Sequence, residues 1–580
     1  MNRFKISTIA YLVFTLALSA CAGNSVPNMS LPTLTDQPAQ PSFRRLPVKQ
    51  YRDKMMAGWV GQMVGVSYGA PTEFRALGEI LPEGKVPIFT SALANNSFNQ
   101  DDLYVEMTFL HTLEQYGLDV PVAQAGIDFA NSQYQLWHAN NTGRDNLRSG
   151  IAPTDSGHPK FNYHSDDIDY QIESDFAGLI SPGMPNRAIA LGEKFGRMMT
   201  FGDGLYGGQF MSCLYSEAFF ETDPYKLVEA GLACIPPGSQ YASAIRDVIA
   251  GWKQNPDDWQ AAWNLVNAKY QLNPDYRLYS CRDENFDASF NIDAKINGTY
   301  VVLGMLYGQG DWMKSMQIAM RAGQDSDCNP ASAGGVLFTT RGFSQLPVDF
   351  TGGLDRTHKW DYTSYDFNTL IDVCEKLARQ AVLKEGGRIE KDASGKDVLV
   401  ILVRPPQPGP LEQSWVLGPV ANTVFTDVQM AQITQKSGTL ARDLHKFAPS
   451  WQASDRLESP GVGLVAKAQG RENVLLTFPI NKDTPCRLAT SLQLPTSPKK
   501  ILHLLVSYSV GSWELSVRAN GQSLFQQVIS ESTTKNSWQD VDIDLSDFAG
   551  QETHLETINQ QKISRWPGAF WASIELTDKP

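Results

Sequence analysis

Apolar residues recur at three- and four-residue intervals from about Leu46 to about Leu383, the spacing that turns one face of an α-helix toward a core. Leu103, Met107, Leu110 and Leu113 form one such run; Trp312, Met316 and Met320 form another, which Gly323 ends. The pattern predicts one all-α domain over residues 49–385. Past Gly386-Gly387 the period changes. A turn at Asp392-Ala393-Ser394-Gly395 and the apolar run Val398 to Val403 lead into Pro405-Pro406-Gln407-Pro408-Gly409-Pro410, so 386–430 reads as a linker or a strap laid over the domain. Beyond it the segments are short and strand-like: Asn473 to Phe478, Cys486 to Leu494, Ile501 to Val510, Trp513 to Val517 and Val541 to Leu545. Asn520-Gly521 suits a two-residue hairpin turn, and a β-sandwich over 431–580 is expected.

The chain has 580 residues, 42% of them hydrophobic and 19% charged, enough for several cores. Its formal net charge of −13 excludes a nucleic-acid footprint, which needs clustered Lys and Arg, and points instead to a small-molecule or glycan substrate. The first twenty residues read as an export signal: Arg3 and Lys5 precede the apolar stretch Ile6 to Leu18, which is too short for a stable membrane span. Leu18-Ser19-Ala20-Cys21 resembles the bacterial lipobox, so 1–20 is expected to be removed and Cys21 acylated, with a plain signal cut after Ala20 or Ala22 as the alternative. Ala22 in place of a retention aspartate favours an outer-membrane lipoprotein, touching the membrane through its lipid only. Residues 21–48, rich in Pro, Ser, Thr and Asn, form the expected flexible tether. The remaining Cys213, Cys234, Cys281, Cys328, Cys374 and Cys486 show no zinc-like spacing, and the sequence does not pair them.

Three segments carry the candidate chemistry. Gly58, Gly61 and Gly65 put small residues on one helical face, with Pro71-Thr72-Glu73-Phe74 following; close helix packing explains the glycines as well as any site does. Asp101-Asp102 opens an amphipathic helix, with Glu106 one turn beyond Asp102. Capping accounts for one aspartate, and three converging acids are tolerable with a cation among them, so this segment reads either as a capped helix start or as a metal or catalytic site. Gly323-Gln324-Asp325-Ser326-Asp327-Cys328-Asn329-Pro330 places two aspartates on one turn before the next helix. A further acidic set, Asp166, Asp167, Asp169, Glu173 and Asp175, lacks the glycine of an EF-hand loop; it reads either as a solvated helix start or as a pocket wall with His164 nearby. Asp203-Gly204-Leu205-Tyr206-Gly207-Gly208 reads as a turn lining a cleft.

The order Gly61-x-x-x-Gly65 with Glu73, then Asp101-Asp102, then Gly323-x-Asp325-x-Asp327 with Ala331 and Gly334, resembles the ADP-ribosylglycohydrolase superfamily, which includes the crystallin J1 proteins. The resemblance covers roughly residues 50 to 345. It implies an all-α fold, a magnesium centre of one or two ions on Asp101, Asp102, Asp325 and Asp327, and Glu73 near the substrate. Where the family has Asp, Thr or Ser, this chain has Gln62, Gln100 and Cys328; the amide oxygen of Gln100 remains a candidate ligand, and the altered set admits one ion or calcium. The catalytic carboxylates expected are Asp102, Glu73, Glu106 and Asp325, and the substrate-binding residues Asp166, Asp167, Asp169 and Gly323. The implied activity is metal-dependent hydrolysis of a glycosidic bond, with a catalytically degenerate glycan-binding surface lipoprotein as the alternative. The end of the chain, Trp538 to Gln551 and Trp566 to Glu575, resembles the galactose-binding-like jelly rolls, in which Trp513, Trp566 and Trp571 are either sugar platforms or inter-sheet packing.

Overall fold

The run Leu103, Met107, Leu110, Leu113 lies on the helix Asp101–Tyr116 with all four residues buried, and the run from Trp312 lies on the helix Trp312–Arg321. The computed structural model describes residues 41–273, 276, 291–416, 418, 420–434, 440–454, 462–479, 484–509, 511–561 and 568–579. The signal segment, Cys21, most of the expected tether, Cys281 and Trp566 lie outside the described residues. Two helices, Val48–Gly69 and Cys328–Arg341, pack along their lengths at the centre of the helical domain. Ala294–Tyr307, which is buried along its whole length, packs against Cys328–Arg341, Trp312–Arg321 and Gln240–Gln254. Cys213 and Cys234 form a disulfide within the helical domain. Among the described residues no helix is long and apolar enough to cross a membrane.

A small antiparallel sheet of order β1-β3-β2 joins the helices: β1 (Phe43–Pro47) lies in the stretch expected as tether, and β2 (Arg388–Lys391) and β3 (Asp397–Leu402) in the stretch expected as strap. Leu399 and Ile401 belong to the helical core, whereas Val398 and Val400, buried on the opposite face of this central strand, lie beside Arg45, Arg388 and Glu390 of the flanking strands, which pair with one another. The proline-rich segment that follows is tied down. Tyr206 Oη donates to Pro410 O (2.9 Å) and accepts from Glu412 N–H (2.6 Å), while Asp155 accepts from Thr423 N–H (2.7 Å) and Ala421 N–H (3.2 Å).

The last part of the chain is a two-sheet antiparallel sandwich. Its strands are β4 (Gln452–Ser454), β5 (Gly463–Ala468), β6 (Arg471–Thr477), β7 (Cys486–Gln493), β8 (Lys500–Tyr508), β9 (Trp513–Ala519), β10 (Gln522–Ile529), β11 (Gln539–Asp544), β12 (Glu552–Gln560) and β13 (Ala569–Asp578). One sheet runs β10-β9-β12-β7-β4 and the other β11-β8-β13-β6-β5. Each of the five expected strands coincides with one of these. Asn520 (φ 48°) and Gly521 (φ 77°) join β9 to β10 as the expected hairpin turn, both with the positive φ that such a turn needs. Trp513 and Trp571 are not sugar platforms: both are fully buried between the sheets with ring centroids 5.3 Å apart, and their indole N–H groups donate to Ser507 O and Thr477 Oγ1. Inward positions alternate along β9, so Trp513 shares the core side with Leu515 and Val517.

Candidate metal and active site

The glycine stripe builds the floor of the site. A methyl group on Gly61 would sit 2.5 Å from Gly334 O, on Gly65 2.4 Å from Pro330 O, and on Gly69 2.3 Å from the Cα of Asp327. These glycines let the Cys328–Arg341 helix and the Asp325-Ser326-Asp327 turn settle directly onto the first helix. Gly65→Ala therefore forces the helices apart and is expected to cost about 3 kcal/mol, read as a lowered thermal transition. Gly84→Ala, where nothing lies within 4 Å of the added methyl, is the matched control and should change stability by no more than about 0.5 kcal/mol.

The turn is also stitched to the segment carrying Glu73. Gln324 N–H donates to Ala76 O (2.9 Å), Phe74 N–H to Gln324 O (3.1 Å), and the Thr72 and Ser326 hydroxyls are 2.9 Å apart. Gly323, expected to bind substrate, supplies the turn with a φ of 90° and a bare Cα, since a methyl there would lie 2.4 Å from Ala76 O.

Two helix N-termini bring the aspartates together. Gln100 is the N-cap of Asp101–Tyr116 and Asp327 that of Cys328–Arg341; neither side chain makes a capping hydrogen bond. The Cys328 thiol donates to Asp102 Oδ2 at 3.3 Å and lies 3.9 Å from Asp327 Oδ1; one ligand atom each of Asp325, Asp327 and Cys328 fall within 4.8 Å of one another. Burial and then its neighbours push every acid here upward. Asp102 is raised by burial, Asp101 and Asp327; Asp327 by burial, Asp325 and Asp101. Glu73 is raised to about 8 by burial, Asp327 and Asp101, and Asp325 to about 8 by burial, Glu73 and Asp102. The five carboxyls of the three segments thus share one pocket.

A second acidic wall faces Asp101. Asn140 donates its backbone N–H to Asp169 Oδ1 (3.0 Å) and its side-chain amide to Glu173, and both acids are raised by burial first and feel Asp101. Asp167, beside Asp169, pairs with His164 Nδ1 at 2.6 Å, and His138 Nδ1 lies 3.9 Å from the same carboxylate. Tyr104, Tyr134 and Tyr362 cluster with centroids 4.7 to 5.9 Å apart, and Tyr104 feels Asp101 and Glu173. His138, Asn140 and these tyrosines are additions to the expected set.

Glu106 is fully buried, with Oε2 accepting from Phe176 N–H (2.7 Å), and it feels Asp175 first and then Asp102 and Glu173, so it sits beneath the pocket acids and in electrostatic contact with them. Asp175 in turn accepts from Tyr215 Oη at 2.7 Å. Asp166 is buried and acts on the fully buried Lys295, which pairs with Asp293 and also feels Asp203. The segment Asp203 to Gly208 is the buried start of the helix Asp203–Ala218, not a cleft lining.

This contrast is the test of whether a metal fits. Lys295 neutralises the acids around it, but none of the charges acting most strongly on Asp101, Asp102, Asp325 or Asp327 is a lysine or arginine. Oδ1 of Asp325 is buried with no hydrogen-bond partner. An oxygen-rich set with excess negative charge and an unsatisfied buried oxygen fits a divalent cation. By comparison, a surface groove of about 530 Å³ lined by Arg52, Asp372, Glu375 and Arg379 has its acids already paired with arginines.

Comparison with known proteins agrees with the motifs. A search of curated proteins finds no match. A solved structure described as an "ADP-ribosylglycohydrolase-related protein complex" is similar over 57% of this chain and 99% of its own, at 14% identity and a TM-score of 0.39. The family model for ADP-ribosylglycohydrolase matches residues 47–386, more than half of the chain and every motif that meets in the pocket. The chain therefore belongs to the ADP-ribosylglycohydrolase family.

Proposed function

We propose that the chain hydrolyses a glycosidic bond at the pocket formed by Glu73, Asp101, Asp102, Asp325 and Asp327, using a divalent cation held by the four aspartates with Gln100 at the rim. The observation that carries this reading is the meeting of four aspartates from two distant segments, with no lysine or arginine among the charges acting most strongly on them, beside Glu73 of a third segment, on which Arg75 acts only after Asp327 and Asp101. A bound cation supplies polarisation of sugar hydroxyls and of water. Glu73, exposed as a residue but with its carboxyl raised to about 8 by partial desolvation and by Asp327 and Asp101, is suited to give a proton to the leaving group. Asp169 and Glu173, fixed by Asn140, face Asp101 and are suited to accept hydrogen bonds from a substrate's hydroxyls.

We further propose an envelope location with Cys21 as the lipid-bearing residue. The Cys213–Cys234 disulfide supports an oxidising compartment. That location favours an extracellular or periplasmic glycoside, with a ribose-like furanoside as the first candidate. A panel of ADP-ribosyl and aryl glycosides, assayed with divalent cations and with chelator, tests the reading. Cleavage of at least one substrate, lost on chelation, is expected. Binding of sugars without cleavage under any metal would replace it with the glycan-binding alternative.

A further inference from the structure

The position after the Asp-x-Asp turn is a thiol, and it sits inside the candidate ligand set. Sγ of Cys328 is 3.3 Å from Asp102 Oδ2, and it belongs to the group whose ligand atoms, with those of Asp325 and Asp327, lie within 4.8 Å of one another. Cys328 is 5% exposed and packs among Ile168, Ile172 and Ile292, so the thiol is held in apolar surroundings beside the acids. A second observation points to a ligand at the same place: Asp325, also 5% exposed, keeps Oδ1 buried without a hydrogen-bond partner. The hydroxyls nearest in the chain do not compete, because Ser326 and Thr72 pair with each other. The other described free thiols are remote in the fold, Cys374 in the helical core and Cys486 in the sandwich.

Magnesium and calcium are hard ions that take oxygen, whereas sulfur selects softer ones, and affinity along the first-row series rises toward cobalt and zinc. We propose that Cys328 is a sulfur donor to the metal centre and makes it selective for borderline divalent ions, Co²⁺ and Zn²⁺, over Mg²⁺ and Ca²⁺. This rests on the reading of the pocket as a metal site. It replaces the hard-ion expectation with one specific to this chain. On metal binding the thiol proton now donated to Asp102 leaves to solvent, and the sulfur lone pair turns to the cation.

The full chain, stripped by chelator, is titrated with Mg²⁺, Ca²⁺, Co²⁺ and Zn²⁺, and the Co²⁺ complex is examined for a thiolate-to-cobalt charge-transfer band in the near ultraviolet. The native protein is expected to show the band and to bind Zn²⁺ at least about a hundred-fold more tightly than Mg²⁺. Cys328→Ser, checked by circular dichroism, should lose the band and narrow that preference by about ten-fold or more; Cys328→Thr serves if the serine variant does not fold. A native complex that lacks the band, or one whose band and ion preference survive in Cys328→Ser, overturns the proposal. Asp325→Asn separates the two levels. If ions bind natively, are lost in Asp325→Asn and are indifferent to Cys328, the metal centre stands and the sulfur role falls. If no divalent ion binds the native chain, both fall.

Discussion

Asp325→Asn is expected to lower turnover by at least about a hundred-fold, because loss of even an outer-shell partner costs ten- to a hundred-fold in metal proteins and this residue is placed to hold the ion itself. The fold should survive. The turn is held by groups other than the carboxylate: Asp325 N–H donates to Asn297 Oδ1 (3.3 Å), Asn329 Nδ2 donates to the same oxygen (3.0 Å), and Gln324 Oε1 accepts from Asn291 N–H (2.9 Å). Removing one of several crowded negative charges also relieves repulsion felt by Asp327, for which Asp325 is the strongest charged neighbour. The metal-free variant should therefore melt at the same temperature as the native chain or higher, while losing the rise in melting temperature that divalent ions give the native protein. Full activity in the variant, or inactivity accompanied by early melting, would remove Asp325 from the catalytic centre.

The parts of this site that were legible in the sequence are those written locally. Asp101-Asp102 and Asp325-x-Asp327 concentrate one chemistry within a few residues, and Gly58, Gly61 and Gly65 repeat at the helical period, so each could be read without knowing its partner. Gly69 extends that stripe and carries the closest approach to the Asp-x-Asp turn, but it was not among the glycines singled out in the sequence. Glu106 was placed on the correct helical face but not at the correct depth: four residues advance a helix by about 6 Å, enough to move a carboxylate from the pocket to the layer below. Asp166 and Asp167 are neighbours in the chain with different charged surroundings, Asp166 acting on the buried Lys295 of another helix and Asp167 pairing with His164, which no local pattern announces. Asn140 and His138 had no local signal at all, since their role exists only where the helix His138–Arg148 meets Asp167, Asp169 and Glu173. In the sandwich Trp513 was left open between sugar platform and inter-sheet packing, and its alternation with Leu515 and Val517 on the core side is what decides for packing. The strand β10, at the edge of its sheet and largely polar, offered too little contrast between faces to be read.

The metal-free protein should lose stability as pH rises, the reverse of the usual response of paired carboxylates. The carboxyls of Glu73 and Asp325 are raised to about 8 in the folded chain from ordinary values of 4.5 and 3.8, by desolvation first and by neighbouring acids second. Below the unfolded values both states carry the proton and the folded state keeps its full advantage. Between those values and about 8 the unfolded chain has released protons that the folded chain retains, so each step upward in pH favours unfolding, and the loss is complete once the folded groups ionise at about 8. A divalent ion takes the place of those protons, so its stabilising effect must grow over the same window. An ion at about a hundred times its dissociation constant adds roughly 2.7 kcal/mol, so at about pH 8.5 it should raise the melting temperature of the helical domain by about 5 °C. At about pH 5, where protons compete for the same oxygens, the rise should be near zero. Asp325→Asn should flatten the metal-free slope as well as the metal response, because it removes one of the two groups that create the window. A melting temperature independent of pH across that range, or an equal metal response at both ends, would mean that these acids do not share a proton-or-cation pocket.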